Sequence, residues 1–378
     1  MMKYARLLFI GSLLTLLIGC GSTGTDTVKV ALVCPLTGDD AAHGQGMKRA
    51  FIMAIEDANA QKKLGGITIE ALPFDDRSDP KEAVTVANQV ISDRGIIGIV
   101  GHLNSGCSIP ASQVYAKRNL VQITPASTNP KLTQQGLKNV FRVCGTDDVQ
   151  GSFGANYVFD TLGFTKVAVI HDKTAYGQGL AEEFQKQYLA IGGTVTSFDG
   201  IDRGEKDFKA LLTRVKEGEP QLVYYGGLYA EAGLLSKQSK ELGLAVPLMG
   251  GDGIFTNEFA RIAGSASEGD FASMVGLPPV KLPLAKDFLA RYAQRWPGED
   301  VESYDALTYE ATMIILDSYA KCGMDRANLI DTIASLTYNG ILGETSFDAN
   351  GDTRNKAISV NRIKDGQFVF YEHTAAVR

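Results

Sequence analysis

Short β-branched runs alternate with amphipathic stretches along nearly the whole chain, and this alternation constrains the fold more than any other feature. Val28 to Val33 is such a run and ends at Pro35 and Gly38, which reads as a buried strand and its loop. Between 46 and 63, Met47, Ala50, Phe51, Ala54, Ile55 and Ala58 recur at helical spacing, while Lys48, Arg49, Glu56 and Asp57 face the other way. A strand is expected at 67–72, then a helix with Asp79 as its cap and Pro80 at its first position. Further strands are expected at 96–100, 120–124, 166–171 and 221–226, with helices near 109–117, 150–162, 179–191, 207–216 and 230–242. Alternation of this kind produces parallel sheets covered by helices, an α/β fold.

The chain has 378 residues, more than one ordinary domain of about 100–200 residues holds, so two doubly wound parallel-sheet lobes are expected. Helices near 284–295, 303–322 and 326–335 precede the turn-rich stretch from Phe347 to Asp352. Strands near 357–363 and 367–371 then form a hairpin around Asp365-Gly366. No low-complexity linker separates the halves, so more than one crossing is expected to join them.

Lys and Arg number 37 against 43 Asp and Glu, so no basic face is available to a phosphate backbone and no nucleic-acid partner is expected. Lys3 and Arg6 precede an apolar run from Leu7 to Ile18, which has the length and flanks of a secretory signal. Its end, Leu17-Ile18-Gly19-Cys20-Gly21-Ser22, resembles a lipobox. Residues 1–19 are thus expected to be a lipoprotein signal peptide, Cys20 the lipidated N-terminus, and 20–27 a flexible tether to the membrane. The expected location is the bacterial periplasm or cell surface. Later apolar runs such as Ile96 to Val100 are far shorter than a membrane span. Cys34, Cys107, Cys144 and Cys322 allow three pairings, and buried free thiols are an equally good reading.

Nucleotide-enzyme fingerprints fail. Gly44-Gln45-Gly46, Gly177-Gln178-Gly179 and Gly251-Asp252-Gly253 meet Arg49, Glu182 and Thr256 where a third glycine is required. There is no Gly-Lys dipeptide for a P-loop, no G-x-S-x-G elbow, and none of His43, His102, His171 and His373 is followed by Glu. No catalytic residue, cofactor or metal is expected. Ligands of such sheets bind outside the carboxyl ends of the strands. There the chain places His102 to Ser108, a hydroxyl-rich loop entering a helix, and Pro125 to Thr128; together they suit an anion, and N-capping is the plainer reading of either alone. On the far half, Asp172 to Tyr176 and Leu248 to Gly253 also follow strands, with Asp252 either a cation partner or a turn former.

The segments Asp75-Asp76-Arg77-Ser78-Asp79-Pro80, Gly101-His102-Leu103, Ile123-Thr124-Pro125-Ala126, His171-Asp172-Lys173, Tyr176-Gly177-Gln178-Gly179 and Tyr224-Tyr225-Gly226-Gly227 resemble the leucine/isoleucine/valine-binding protein family, solute receptors of ABC importers. The resemblance implies a type I periplasmic binding protein fold with three interlobe crossings. Lobe 1 is then 28–146 plus 276–354, and lobe 2 is 147–275 plus 355–378. It also implies that Ser105, the Ala126 backbone and Thr128, with Asn104 beside them, hold a ligand carboxylate, while Tyr176 and Asp252 hold its ammonium. Asp252 replaces a glutamate, His43 replaces an aromatic residue of the side-chain pocket, and Leu228 stands where a tyrosine is usual, with Tyr229 next to it. Ser78 and Asn104 occupy the positions of a familiar cysteine pair, so that disulfide is not expected. The implied partners are an amino acid, foremost leucine, isoleucine or valine, and the permease subunits of an ABC transporter. A same-fold receptor for amides, urea or other acyl compounds, or a sensor serving a signalling receptor, is the alternative.

Overall fold

A computed structural model describes residues 27–373, so the signal segment, Cys20 and residues 21–26 of the tether lie outside the described residues. Thr27, read above as tether, is the first residue of β1 (Thr27–Cys34). There follow α1 (Ala41–Ala60), β2 (Thr68–Asp75), α2 (Pro80–Ser92), β3 (Ile96–Gly101), α3 (Ser105–Ala116), β4 (Val121–Thr124) and β5 (Val140–Arg142). These strands form a parallel sheet in the order β2-β1-β3-β4-β5. Strand geometry sends alternate residues to opposite faces. Val30, Leu32 and Cys34 pack with Phe51 of α1, and Ala31 and Val33 pack with Val90 and Tyr115 of α2 and α3.

The second lobe runs through α4 (Asp147–Asn156), β6 (Lys166–His171), α5 (Ala175–Ala190), β7 (Thr194–Gly200), α6 (Lys209–Glu217), β8 (Leu222–Gly226), α7 (Tyr229–Glu241), β9 (Leu248–Gly250), α8 (Asn257–Ala263) and β10 (Phe271–Met274). The chain then returns to lobe 1 with α9 (Lys286–Arg295), α10 (Asp305–Lys321), α11 (Leu329–Ala334) and the small hairpin of β11 (Thr337–Gly340) and β12 (Gly343–Ser346). It ends in the second sheet with β13 (Ser359–Lys364) and β14 (Gln367–His373). That sheet has the order β14-β13-β10-β9-β8-β6-β7, with every strand running the same way except β13, which pairs antiparallel with both β10 and β14. Asp365 and Gly366 both have positive φ, 53° and 74°, as a two-residue type I′ hairpin requires. The chain thus passes between the lobes three times, between Arg142 and Asp147, between Met274 and Lys286, and between Ser346 and Ser359.

Several elements depart from the pattern-based reading. Helix α1 starts five residues before Gly46 because Gly44 lies against the Pro35 carbonyl, where a Cβ would collide. Helix α3 begins at Ser105, ahead of the expected 109–117, and Pro110 sits in its second turn at the expense of one backbone bond. The expected 150–162 helix is α4 followed by a wider π-turn at Tyr157–Thr161. Strand β7 escapes the reading because it is an edge strand whose residues are half-buried or exposed, so neither periodicity nor an apolar run marks it. Strands β5, β9, β10, β11 and β12 have three or four residues each, too short to carry a period. Among the described residues Cys34, Cys107, Cys144 and Cys322 are free thiols, the first three buried.

Burial of acidic groups makes stability depend on pH. Glu310 of α10 lies under the β11–β12 hairpin and accepts from the Ile341 N–H at 2.9 Å; burial raises its pKa to about 7. Burial also moves the neighbouring Glu302 and Asp305 upward, and repulsion from Asp305 adds to the shift of Glu302. Groups with raised carboxyl pKa bind more protons folded than unfolded, so they favour folding as pH falls through the folded pKa toward the unfolded one. The melting temperature is therefore expected to rise as pH falls from 8 to about 7, above the range where His43 and His171, whose pKa values burial lowers, oppose it. A falling melting temperature in a differential scanning series over that interval contradicts this.

Candidate functional site

Loops leaving the carboxyl ends of strands in both sheets meet between the lobes. Leu103 and Asn104 follow β3, Ala126 follows β4, Tyr176 follows β6, Leu228 follows β8 and Asp252 follows β9. With Tyr304, just before α10, they line one small cavity of about 10 Å³, room for no more than about one water. The strand-end rule thus brings five of the expected residues, Asn104, Ala126, Tyr176, Leu228 and Asp252, around one point. A ligand larger than water is admitted only when the lobes part.

Asp252 is buried and forms the centre of the lobe 2 wall. Its carboxylate accepts from the Tyr176 hydroxyl at 3.0 Å and from the Tyr304 hydroxyl at 2.7 Å. Tyr176 in turn accepts from the Gly253 N–H at 3.0 Å, which fixes its ring. Burial raises the Asp252 pKa, and the groups of Tyr304, Gln150 and Tyr176 counter the shift by solvating the charged form. A buried carboxylate in this state gains from a cationic partner.

The opposite wall belongs to lobe 1. The first N–H groups of the twelve-residue α3 lie beside Asn104, whose side chain does not cap the helix and whose Oδ1 is buried without a hydrogen-bond partner. The Ser105 hydroxyl accepts from the Asn129 N–H at 3.2 Å, and the Ala126 N–H donates to Thr124. Neither Ser105 nor Thr128 lines the cavity, and the Thr128 hydroxyl is buried beside the Asp147 carboxylate. The loop carrying Thr128 enters only a one-turn helix, Pro130–Leu132, so only one of the two expected helix N-termini exists here. Ser127 is structural, its hydroxyl donating to the carbonyls of His102 and Leu103. Asp172 likewise serves its own turn, accepting from the Thr174 N–H and hydroxyl.

His43 lies behind the cavity and not in its wall. It is fully buried, its Nε2 pairs with the Gly253 carbonyl at 3.2 Å, and burial lowers its pKa, which keeps the ring neutral. Tyr229 and Tyr304 pack edge-on against it, and the Tyr229 hydroxyl accepts from the Ala42 N–H. The wall itself presents Leu103, Ala126 and Leu228, so the polar histidine does not break its apolar part. Two residues escaped the sequence reading. Tyr304 reaches Asp252 from the chain's return to lobe 1, and no local motif marks it. Asp147, at the start of α4, is fully buried with both carboxylate oxygens unpartnered; burial raises its pKa strongly, while neighbouring Thr128 lowers it and Asp252 raises it further. Its signal was available, an acidic residue beginning a helix directly after a crossing.

Polar contacts hold the lobes together. Arg203, in the loop after β7, pairs with buried Asp40 of lobe 1 at 2.7 Å and approaches Glu231 at 3.7 Å. At the other rim the Asn129 amide donates to the Ala175 carbonyl at 2.6 Å. Arg203→Ala leaves Asp40 without its cation only when the lobes are closed, so it disfavours closure. Cleft-ligand affinity is expected to fall about tenfold, equivalent to about 1.4 kcal/mol. Unchanged affinity in calorimetry contradicts a closing role for this pair.

Two α/β lobes joined by three crossings, with buried polar groups of opposite character converging from their strand ends, define a bilobed solute receptor. The chain belongs to the periplasmic binding protein family: the profile described as "Periplasmic binding protein" matches residues 27–367. It is 37% identical over 351 residues to the Leu/Ile/Val-binding protein homolog 1 of Brucella suis, covering 92% of this chain and 94% of that protein. It is 35% identical over 339 residues to the leucine-, isoleucine-, valine-, threonine-, and alanine-binding protein of Pseudomonas aeruginosa, covering 88% and 89%. Among solved structures, the leucine binding protein LivK of Thermotoga maritima superposes with a TM-score of 0.85 at 31% identity, covering 92% of this chain and 98% of that one. LivJ of Streptococcus pneumoniae, in complex with isoleucine, gives 0.84 at 26%, covering 92% and 100%. The fold is the type I periplasmic binding protein fold. No helix among the described residues is long and apolar enough to cross a membrane.

Proposed function

We propose that this protein captures an α-amino acid by lobe closure, with leucine, isoleucine and valine the leading candidates, and delivers it to the permease subunits of an ABC importer. One observation carries the reading: a buried carboxylate of lobe 2, Asp252, shares the interlobe cavity with Asn104 at a helix N-terminus of lobe 1. A zwitterion needs both kinds of partner at once, and only the closed form supplies both. In this reading the α3 N-terminus, Ser105, the Ala126 backbone and Thr128 take the carboxylate, and Asp252 and Tyr176 take the ammonium. Leu103, Leu228 and Tyr304 face the side chain, with His43 and Tyr229 supporting them from behind. The names of the relatives favour an aliphatic ligand, and so does the apolar part of the wall. Exchange of the usual glutamate for Asp252 shortens the reach to the amine by one methylene. Anchoring through Cys20 and the lobe limits 28–146 with 276–354 and 147–275 with 355–378 belong to the same proposal.

A thermal-shift screen of amino acids against their amides and against urea tests it. Ligand at 100 times its Kd stabilises by about 2.7 kcal/mol. The aliphatic amino acids are expected to raise the melting temperature and the amides to leave it unchanged; the reverse pattern contradicts an amino-acid receptor.

A further inference from the structure

The hinge contains a cavity of its own. It measures about 270 Å³, and residues of all three crossings line it: Val143 from the first, Val275 and Leu277 from the second, Asn355 and Ala357 from the third. Leu307 of α10 closes it from lobe 1, and the end of β10 closes it from lobe 2. Most of the lining is aliphatic and no charged side chain takes part. Asn355 is exposed and marks the mouth, while Ala357 is half-buried in the wall. Cavities of about 150 Å³ lined by aliphatic and aromatic side chains hold benzene, so this one admits a larger ring. Its volume lies just under the range of ordinary small-molecule pockets.

We propose that the hinge is a second ligand site, for a neutral apolar molecule of about indole size, and that its occupant favours lobe closure. The chemistry follows from the lining. Nothing there neutralises a charge, so a zwitterion or an ion is excluded, whereas an apolar ring removes its surface from water against aliphatic walls. The coupling follows from the position. The walls belong to both lobes and to the segments that turn when the lobes part, so their spacing depends on the hinge angle. The spacing described here accompanies a closed cleft, with Tyr304 bonded to Asp252 and Arg203 paired with Asp40 across it. A molecule fitted to that spacing has differential affinity for the closed form, and by linkage the cleft ligand and the hinge ligand strengthen each other.

Fluorine NMR of 5-fluoroindole titrated with the protein tests the site. Saturable binding is expected, at least tenfold weaker in Ala357→Phe, which fills the cavity from its half-buried wall. A second variant, Asn355→Trp, blocks the exposed mouth and is expected to do the same, with circular dichroism checking that both fold. At saturating 5-fluoroindole the Kd for leucine is expected to fall about fivefold or more, the lower range of ordinary coupling. Absence of saturable binding, equal binding to both variants, or displacement of the probe by leucine overturns the hinge site. An unchanged leucine Kd at saturating probe overturns the coupling. The probe titration does not depend on what the cleft binds, so failure of the amino-acid reading is seen separately as absent leucine binding.

Discussion

Asp252→Ala is expected to abolish amino-acid binding and leave the fold intact. The ammonium of a bound amino acid would be buried opposite the tyrosine hydroxyls of Tyr176 and Tyr304 with no anion to meet it. Truncating one member of a buried, hydrogen-bonded charge pair costs about 2–5 kcal/mol, a loss of affinity of about 100-fold or more. Folding is spared because burial already disfavours this charge in the free protein, so the variant sheds a desolvation cost together with its two hydrogen bonds. Asp252→Asn keeps the shape and is expected to fail as well, which separates charge from packing. The raised pKa adds a pH signature. Only the ionised form attracts an ammonium, so affinity weakens as pH falls through that raised value. Calorimetric titration of both variants, with near-native affinity in either, contradicts the assigned role.

Arg142→Met is expected to be the most damaging single change to stability. Arg142 is fully buried at the end of β5. Its guanidinium pairs with Asp352 at 2.7 Å, donates to the carbonyls of Ser127 at 2.8 Å and Asn129 at 3.0 Å, and donates to the Thr133 hydroxyl at 2.7 Å. One side chain thus ties the first crossing to the third and grips both neighbours of Thr128. Removing it leaves a mostly buried carboxylate and two carbonyls without their donor, a loss of about 3–5 kcal/mol. Lysine does not restore it, because a point charge cannot make four contacts in a planar fork. Urea denaturation measures the loss, and a change below about 1 kcal/mol contradicts the account. Any Arg142 variant that folds should also bind its ligand more weakly, since the Thr128 loop is no longer held.

What was legible in the sequence is what depends on neighbouring residues. Strand β1, the Asp79-Pro80 start of α2 and the Asp365-Gly366 hairpin follow from local periodicity and turn chemistry, and the structure has all three. Asp252 was visible because it follows a strand between two glycines, and the strand-end rule carried it into the cavity. The glycines that fail as nucleotide fingerprints have a packing role instead. Gly44 lets α1 touch the Pro35 carbonyl, and Gly177 brings α5 onto the Gly226 carbonyl at the end of β8. Tyr304, Arg203 and Arg142 were not legible as a working set, because each acts on a residue far away in sequence. Asp252, Asp40 and Asp352 meet them only after the chain has crossed between lobes or closed a sheet. Strand β7 was missed for the opposite reason, since an edge strand facing water on one side needs no strong pattern to be stable.

In the proposed mechanism the two lobes close around a zwitterion by satisfying both of its charges. Calorimetric titration of the protein with leucine and with 4-methylpentanoate, the same molecule without its amine, tests this most directly. Saturable leucine binding is expected, with a Kd in the micromolar range or tighter corresponding to about −8 kcal/mol or more, and at least 100-fold weaker binding of the deaminated acid. Equal affinity for the two compounds, or no heat with leucine, isoleucine or valine, contradicts it.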